Sequence, residues 1–209
     1  MTRAEHVLDP RRQAKNRPAK ILAALERIGH IILTSTREAA GNAGLSPIQS
    51  RLLIHVATHE ASESRLSVLA RYFDLTVPTV SDAVNSLVRK GLLDKKKSAD
   101  DARARVLRLT ANGRNVYNDL ATWSAPYERI LGAMPATDLD ALAESLLCFV
   151  SGLHVDGQVA VARMCPICTH FAREGDRSTA RCLLLSEPLG PGDYRLDCPE
   201  WEPVGMAEE

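Results

Sequence analysis

Apolar positions fall at helical spacing between Thr76 and Gly91, where Val80, Val84, Leu87 and Val88 form one stripe. Pro78, Thr79, Ser81, Asp82, Asn85 and Arg89 are left on the opposite, polar face. Thr76 suits an N-cap, Pro78 sits in the first turn where a missing N–H costs least, and Gly91 stops the helix. Upstream, Leu66 to Phe73 is a short helical pattern with Ser67 as its cap. The link Asp74-Leu75-Thr76 is tight, so the pair predicts a helix-turn-helix. Downstream, Leu92 to Lys97 and Val106 to Thr110 are strand-like runs around the polar tip Ser98 to Ala104, which predicts a basic hairpin, a wing.

The flanks read as long helices. Pro18 to Ala40 carries a narrow seam of Ile21, Leu25, Ile28 and Ile32. Ser46 to Gln49 is a capping box that opens a helix with Leu52, Leu53, Val56 and Ala57 inward, ending near His59. Glu60 to Arg65 is a polar turn. Thr110 caps a pattern that runs to about Met134, with Val116, Leu120, Trp123, Tyr127, Ile130 and Met134 on one side. Pro126 inside it predicts a kink or break, and Pro135 closes it. Asp138 to Val155 is the last helix, with Leu139, Leu142, Leu146, Phe149 and Leu153 on one seam and Cys148 expected as a small buried hydrophobe. One small winged helix cannot cover these seams, so they predict pairing with a second copy. The expected fold is mainly α with a small β-wing: a winged helix-turn-helix (46–110), a helical dimerisation region (18–45 and 111–160), a basic flexible arm (1–17) and a small cysteine-rich lobe (161–209).

Charge changes the picture. The 209-residue chain has no formal net charge. Yet residues 1–110 carry an excess of eight positive charges and residues 111–209 the same excess of negative ones. A basic half with a winged helix has an electrostatic reason to find double-stranded DNA. Thr79, Ser81, Asp82 and Asn85 are placed to read base edges, with Asp82 accepting from cytosine N4 and Asn85 pairing with adenine. Pro78 shares that face. Arg89, Lys95, Lys96 and Lys97 are placed on phosphates, and Arg103 at the tip reaches toward a minor groove. No apolar run reaches the roughly 18 residues of a membrane span. The first residues lack the apolar region of a signal peptide, so a cytoplasmic protein without a membrane partner is expected.

The run LSVLARYFDLTVPTVSDAVNSLVRKGLLDKKKSADDARARVLRLTANG resembles the winged helix of the MarR family of bacterial transcription regulators. That family's Asp-x-Arg at the wing tip matches Asp101-Ala102-Arg103, and its Leu-Thr-x-x-Gly matches Leu109-Thr110-Ala111-Asn112-Gly113. The resemblance extends in pattern over Pro18 to Leu153. It implies a homodimer on a pseudo-palindromic operator, acting as a repressor. It also implies that a small-molecule inducer between wing and dimer helices is possible, though no residue identifies one. The cysteine segment lies outside the resemblance.

That segment holds Cys165-x2-Cys168-x13-Cys182-x15-Cys198, several prolines and glycines, and little apolar material. It is too short to make a core alone and needs a staple. Disulfides are disfavoured in a cytosolic chain, so four thiolates on a metal are expected. Zinc is the commonest occupant of such a pattern. Against it, only one Cys-x2-Cys knuckle is present, and proline follows Cys165 and Cys198 as in some iron–sulfur motifs. An iron–sulfur cluster is slightly preferred over Zn2+. His170 is placed beside the site rather than in it. Cys165 and Cys168 as a thioredoxin-type pair would need a βαβ context that is absent. His55 and His59 stand at ligand spacing, but nothing completes a site, so a structural or surface role is expected.

The expected function is a DNA-binding regulator with a metal- or redox-responsive lobe. The alternative is a redox or electron-carrying metalloprotein, or a protein-interaction adaptor, that docks through its winged helix. No Gly-rich phosphate loop, His-Glu-x-x-His pattern or nucleophile with a nearby base suggests an enzyme.

Overall fold

The computed structural model describes residues 6–97, 105–159, 161–173 and 179–204, with Lys97 and Arg105 by backbone only. The chain divides into two compact units, Met1–Leu69 with Pro78–Ser124, and Ala70–Val77 with Ala125–Glu209.

The first unit begins with two helices, α1 (Pro10–Lys15) and α2 (Arg17–Asn42). The stretch expected as a flexible arm therefore contains a helix. Asp9 caps it by accepting from the Arg11 amide at 2.8 Å, and Pro10 fits the first turn. Helix α3 (Pro47–Thr58) opens on a complete capping box: Ser46 Oγ accepts from the Gln49 amide, and Gln49 Oε1 accepts from the Ser46 amide. Leu52, Leu53 and Val56 are buried, and the buried His55 ring stacks on His59 with centroids 3.8 Å apart. That stacking suits the structural role expected of the pair.

Helix α4 (Leu66–Tyr72) starts one residue before Ser67, which therefore lies inside the first turn and is not its cap. The Leu75 amide bonds the Ala70 carbonyl at 2.8 Å, and Asp74 takes the left-handed conformation, φ 52°. Helix α5 (Val77–Arg89) follows. Of its expected apolar stripe, Val80, Val84 and Leu87 are fully enclosed and Val88 is half-buried. Strands β1 (Leu93–Lys97) and β2 (Arg105–Leu109) pair antiparallel, with Leu93 opposite Leu109 and Lys95 opposite Leu107.

Thr110 locks the end of the wing to α6 (Ala111–Ala121). Its hydroxyl accepts from the Gly113 amide at 2.9 Å and donates to the Gly91 carbonyl at 2.7 Å. A Cβ on Gly113 would lie 2.0 Å from the Leu92 carbonyl oxygen, so only glycine fits there. The long helix read from Thr110 to Met134 is divided. A single 3₁₀ turn at Thr122–Ser124 separates α6 from α7 (Ala125–Leu131), and Pro126 lies in the first turn of α7. Proline lacks the N–H that would continue the ladder, so the break falls just before it.

In the second unit, α8 (Ala136–Val155) supports a three-stranded antiparallel sheet of β3 (Phe171–Arg173), β4 (Ala180–Cys182) and β5 (Glu187–Leu189), in the order β3-β4-β5. Leu147, Ala162, Met164, Ala180 and Tyr194 form its core, joined by Val150, Ile167, Phe171 and Leu189. The cysteine segment thus does not stand alone: α8 lends it an apolar wall. The predicted seam of α8 is the other face, where Leu142, Leu146 and Phe149 are exposed. Cys148 is exposed too, contrary to the expectation of a buried residue. One residue turns a helix by 100°, and the step from Leu147 carries Cys148 out of the core.

Candidate functional site

Two sites emerge, one in each unit. In the first, the buried stripe of α5 fixes its orientation and turns Pro78, Thr79, Asp82 and Arg89 to solvent, with Ser81 and Asn85 half-buried. On the wing, Lys96 is exposed and Lys95 half-buried. Lys95 Nζ donates to Asn85 Oδ1 at 2.6 Å, so the wing strand and the helix meet at the expected reading face. This pairing occupies the oxygen that would accept from adenine N6, so bidentate reading by Asn85 requires Lys95 to let go. The wing-tip Arg103 lies outside the described residues, as does the side chain of Lys97.

Two further residues brace this face. Gln49 Nε2 donates to Ser86 Oγ at 3.0 Å, and Lys90 Nζ donates to the Gly44 carbonyl. They tie α3 and the loop before it to α5. Gln49 was legible as a cap partner, but nothing in its spacing announced the second contact.

In the second unit, backbone pairing gathers the four cysteines of the lobe. Cys165 opens a 3₁₀ knuckle whose closing bond runs from the Cys168 amide to the Cys165 carbonyl at 3.0 Å. The Cys165 amide bonds the Arg195 carbonyl, and the Cys198 amide bonds the Arg163 carbonyl, which sets Cys165 beside Cys198. Cys182 pairs with Phe171 across β3 and β4. All four line one cavity of about 320 Å³, together with His170, Arg195 and Glu200. None is in a disulfide.

Burial pushes the Cys165 thiol up; the Arg195 amide, 3.2 Å from its sulfur, pulls it down, and the nearby Cys198, Cys168 and Cys182 thiols push it up again. Burial likewise raises Cys198, whose thiol donates to Glu200 Oε2 at 3.3 Å. Arg195 Nη1 stands 3.6 Å from the Cys198 sulfur and 3.0 Å from Glu200. A thiol set that repels its own charge is suited to a cation that would hold it as thiolate. Among the described residues, however, no three His, Cys, Asp or Glu side chains stand close enough to hold one metal ion. His170 lines the cavity and approaches Glu202 at 3.3 Å, beside the thiols as expected. Arg195 and Glu200 went unnoticed in the sequence, although they flank Cys198 at three residues before and two after.

Residues 43–104 match the sequence profile of the MarR family. No curated protein matches the chain in sequence. Among solved structures, a MepR–DNA complex from S. aureus is 17% identical, covers 63% of this chain and 94% of its own, and superimposes with a TM-score of 0.54. A MarR-family transcriptional regulator from Silicibacter pomeroyi is 20% identical over 68% of this chain and 92% of its own, TM-score 0.54. CouR from Rhodococcus jostii, bound to p-coumaroyl-CoA, is 21% identical over 66% and 93%, TM-score 0.52. The fold is the winged helix-turn-helix of the MarR type, mainly helical with a two-stranded wing. Among the described residues, no helix is long and apolar enough to cross a membrane.

Proposed function

We propose that the chain is a homodimeric, sequence-specific DNA-binding transcription regulator, a cytoplasmic repressor rather than an enzyme. Its four-cysteine lobe binds an iron–sulfur cluster or zinc and adjusts DNA affinity. The observation that carries this reading is the α5 face: a buried stripe beneath, exposed Thr79, Asp82 and Arg89 above, and Lys95 reaching Asn85 from the wing. A polar reading face beside a lysine-bearing strand has a use on a polyanion and none in an electron carrier or adaptor. The similar structure of a MepR–DNA complex supports the same use of this fold.

The dimer is supported by apolar side chains left in solvent. Ile21, Ile28 and Ile31 are exposed on α2, Ile130 and Leu131 on α7, and Leu142, Leu146 and Phe149 on α8. These side chains are about half exposed, so covering the remainder against a second copy contributes on the order of 1 kcal/mol for each. Two copies would present two α5 helices to successive DNA turns. A small-molecule ligand is compatible with the fold, since the similar structure of CouR is bound to p-coumaroyl-CoA.

A route for the lobe to act runs through Tyr72. This last residue of α4 donates to Asp197 at 3.4 Å, Arg163 grips the same carboxylate at 2.6 Å, and Cys198 is the next residue. Ligation of Cys198 would bear on Asp197 and through it on the turn before α5. Regulation requires a free-energy difference between the two states, not merely a contact.

The test is fluorescence anisotropy with duplex DNA from the chain's own upstream region and with random duplex, over a salt series. A regulator binds its own region more tightly and loses affinity steeply as salt rises. Salt-insensitive or absent binding would leave the carrier and adaptor readings.

A further inference from the structure

We infer that Lys95 sets the base that Asn85 reads: it holds the side-chain amide so that only the donor end is left for DNA, and the pair selects guanine rather than adenine. This rests on the reading of the chain as a sequence-specific DNA-binding protein. It adds one letter of the bound site and the residue that positions its reader.

Strand register places Lys95. In β1 the side chains of Leu93 and Lys95 fall on one face, and Leu107 stands opposite Lys95 across the hairpin. Leu93 and Leu107 are both buried. Lys95 therefore shares the covered face of the wing and is half-buried, whereas Lys96, on the other face, is exposed. A half-buried ammonium group needs an acceptor, and Lys95 Nζ finds one in Asn85 Oδ1 at 2.6 Å.

The chemistry of the pair allows one orientation. An ammonium group has three donors and no acceptor, and a side-chain amide accepts only through its oxygen. The oxygen of Asn85 must turn to Lys95, which leaves Nδ2 and its two donors on the other arm. Asn85 stands three residues after Asp82 and four before Arg89, both exposed, so the three share one face of α5. A free asparagine reads adenine with one acceptor and one donor, at N6 and N7. A held one offers donors alone, beside a positive charge. Guanine presents two neighbouring acceptors in the major groove, N7 and O6, whereas adenine N6 would set a donor against a donor. Thymine has the single acceptor O4, so guanine is the best match.

The experiment is selection of binding sites from random duplex DNA with the full chain, followed by affinities for single-base-pair variants of the selected site. Asn85→Ala marks the position, as the base pair at which discrimination collapses. In the parent protein that position should be guanine, with adenine bound about tenfold more weakly. Lys95→Met keeps the length of the side chain and removes its donors, so the amide is freed and the preference there should move to adenine. Replacing the guanine by 7-deazaguanine, which lacks the N7 acceptor, probes the same contact with the parent protein alone and should weaken binding by about fivefold or more. Adenine at the marked position, or unchanged binding of the 7-deazaguanine duplex, overturns the inference and leaves the regulator standing. An Asn85→Ala profile identical to the parent's does the same. Guanine retained by folded K95M overturns the role of Lys95. Failure of the parent protein to select any sequence overturns the DNA-binding reading itself.

Discussion

The winged-helix unit and the cysteine lobe use their side chains in opposite ways. In the first, Leu52, Leu53, Leu69, Leu87 and Leu93 are closed off from solvent, and the polar residues stand outside on a rigid frame. In the second, α8 and three short strands enclose a small core of Leu147, Ala162, Met164, Ala180 and Tyr194, and the neighbouring space is lined by thiols. The first arrangement makes a surface whose shape is fixed by packing. The second makes a cavity lined by four thiols.

The contrast can be broken most severely at Gly113. Gly113→Ala places a methyl against the Leu92 carbonyl, and neither backbone can yield without parting the wing from α6. A loss of about 3 kcal/mol is expected in denaturant unfolding of the first unit, at the upper end of overpacking effects. Metal content of the lobe should stay unchanged, and its parallel loss would deny that the two units are separable.

A smaller effect is expected at the reading face. Asp82 is exposed and contributes nothing to the core. Asp82→Ala should leave stability unaltered while flattening discrimination at one base pair by about 1–3 kcal/mol. A selection of binding sites from random DNA would show that position relaxed. An unaltered preference there would remove Asp82 from base reading.

The smallest change concerns the lobe. The buried Tyr194 hydroxyl has no hydrogen-bond partner among the described residues, and burial pushes its pKa up. Its ring stacks edge-on to Phe171 at 5.1 Å, so the ring earns its place by packing. Tyr194→Phe should therefore be neutral or stabilise by about 1 kcal/mol in thermal unfolding. A clear loss would mean that the hydroxyl meets a partner in the occupied lobe.

Much of the first unit was legible in the sequence. Val80, Val84 and Leu87 repeat at helical spacing, Ser46 and Gln49 announce a cap, and Leu109 to Gly113 carry a pattern whose physical cause is the Thr110 bonds and the Gly113 contact. Helix α1 was signalled by Asp9-Pro10, but six residues give too little periodicity to outweigh a charged terminus. For α8, the seam of Leu142, Leu146 and Phe149 masked the Leu147 face, because a helix apolar on two sides has no single stripe. Pairings between distant residues, such as Gln49 with Ser86 or Arg195 with Cys165, depend on tertiary folding and leave no trace in local pattern.

In the proposed regulator, occupancy of the cysteine lobe alters DNA affinity. The direct measurement is operator affinity of the anaerobically loaded protein and of the same preparation after its cofactor is removed, at one fixed salt concentration. Affinities that differ by about tenfold or more are expected, a usual size for coupling between distinct sites. Identical binding curves would contradict this and reduce the cysteine lobe to a structural staple.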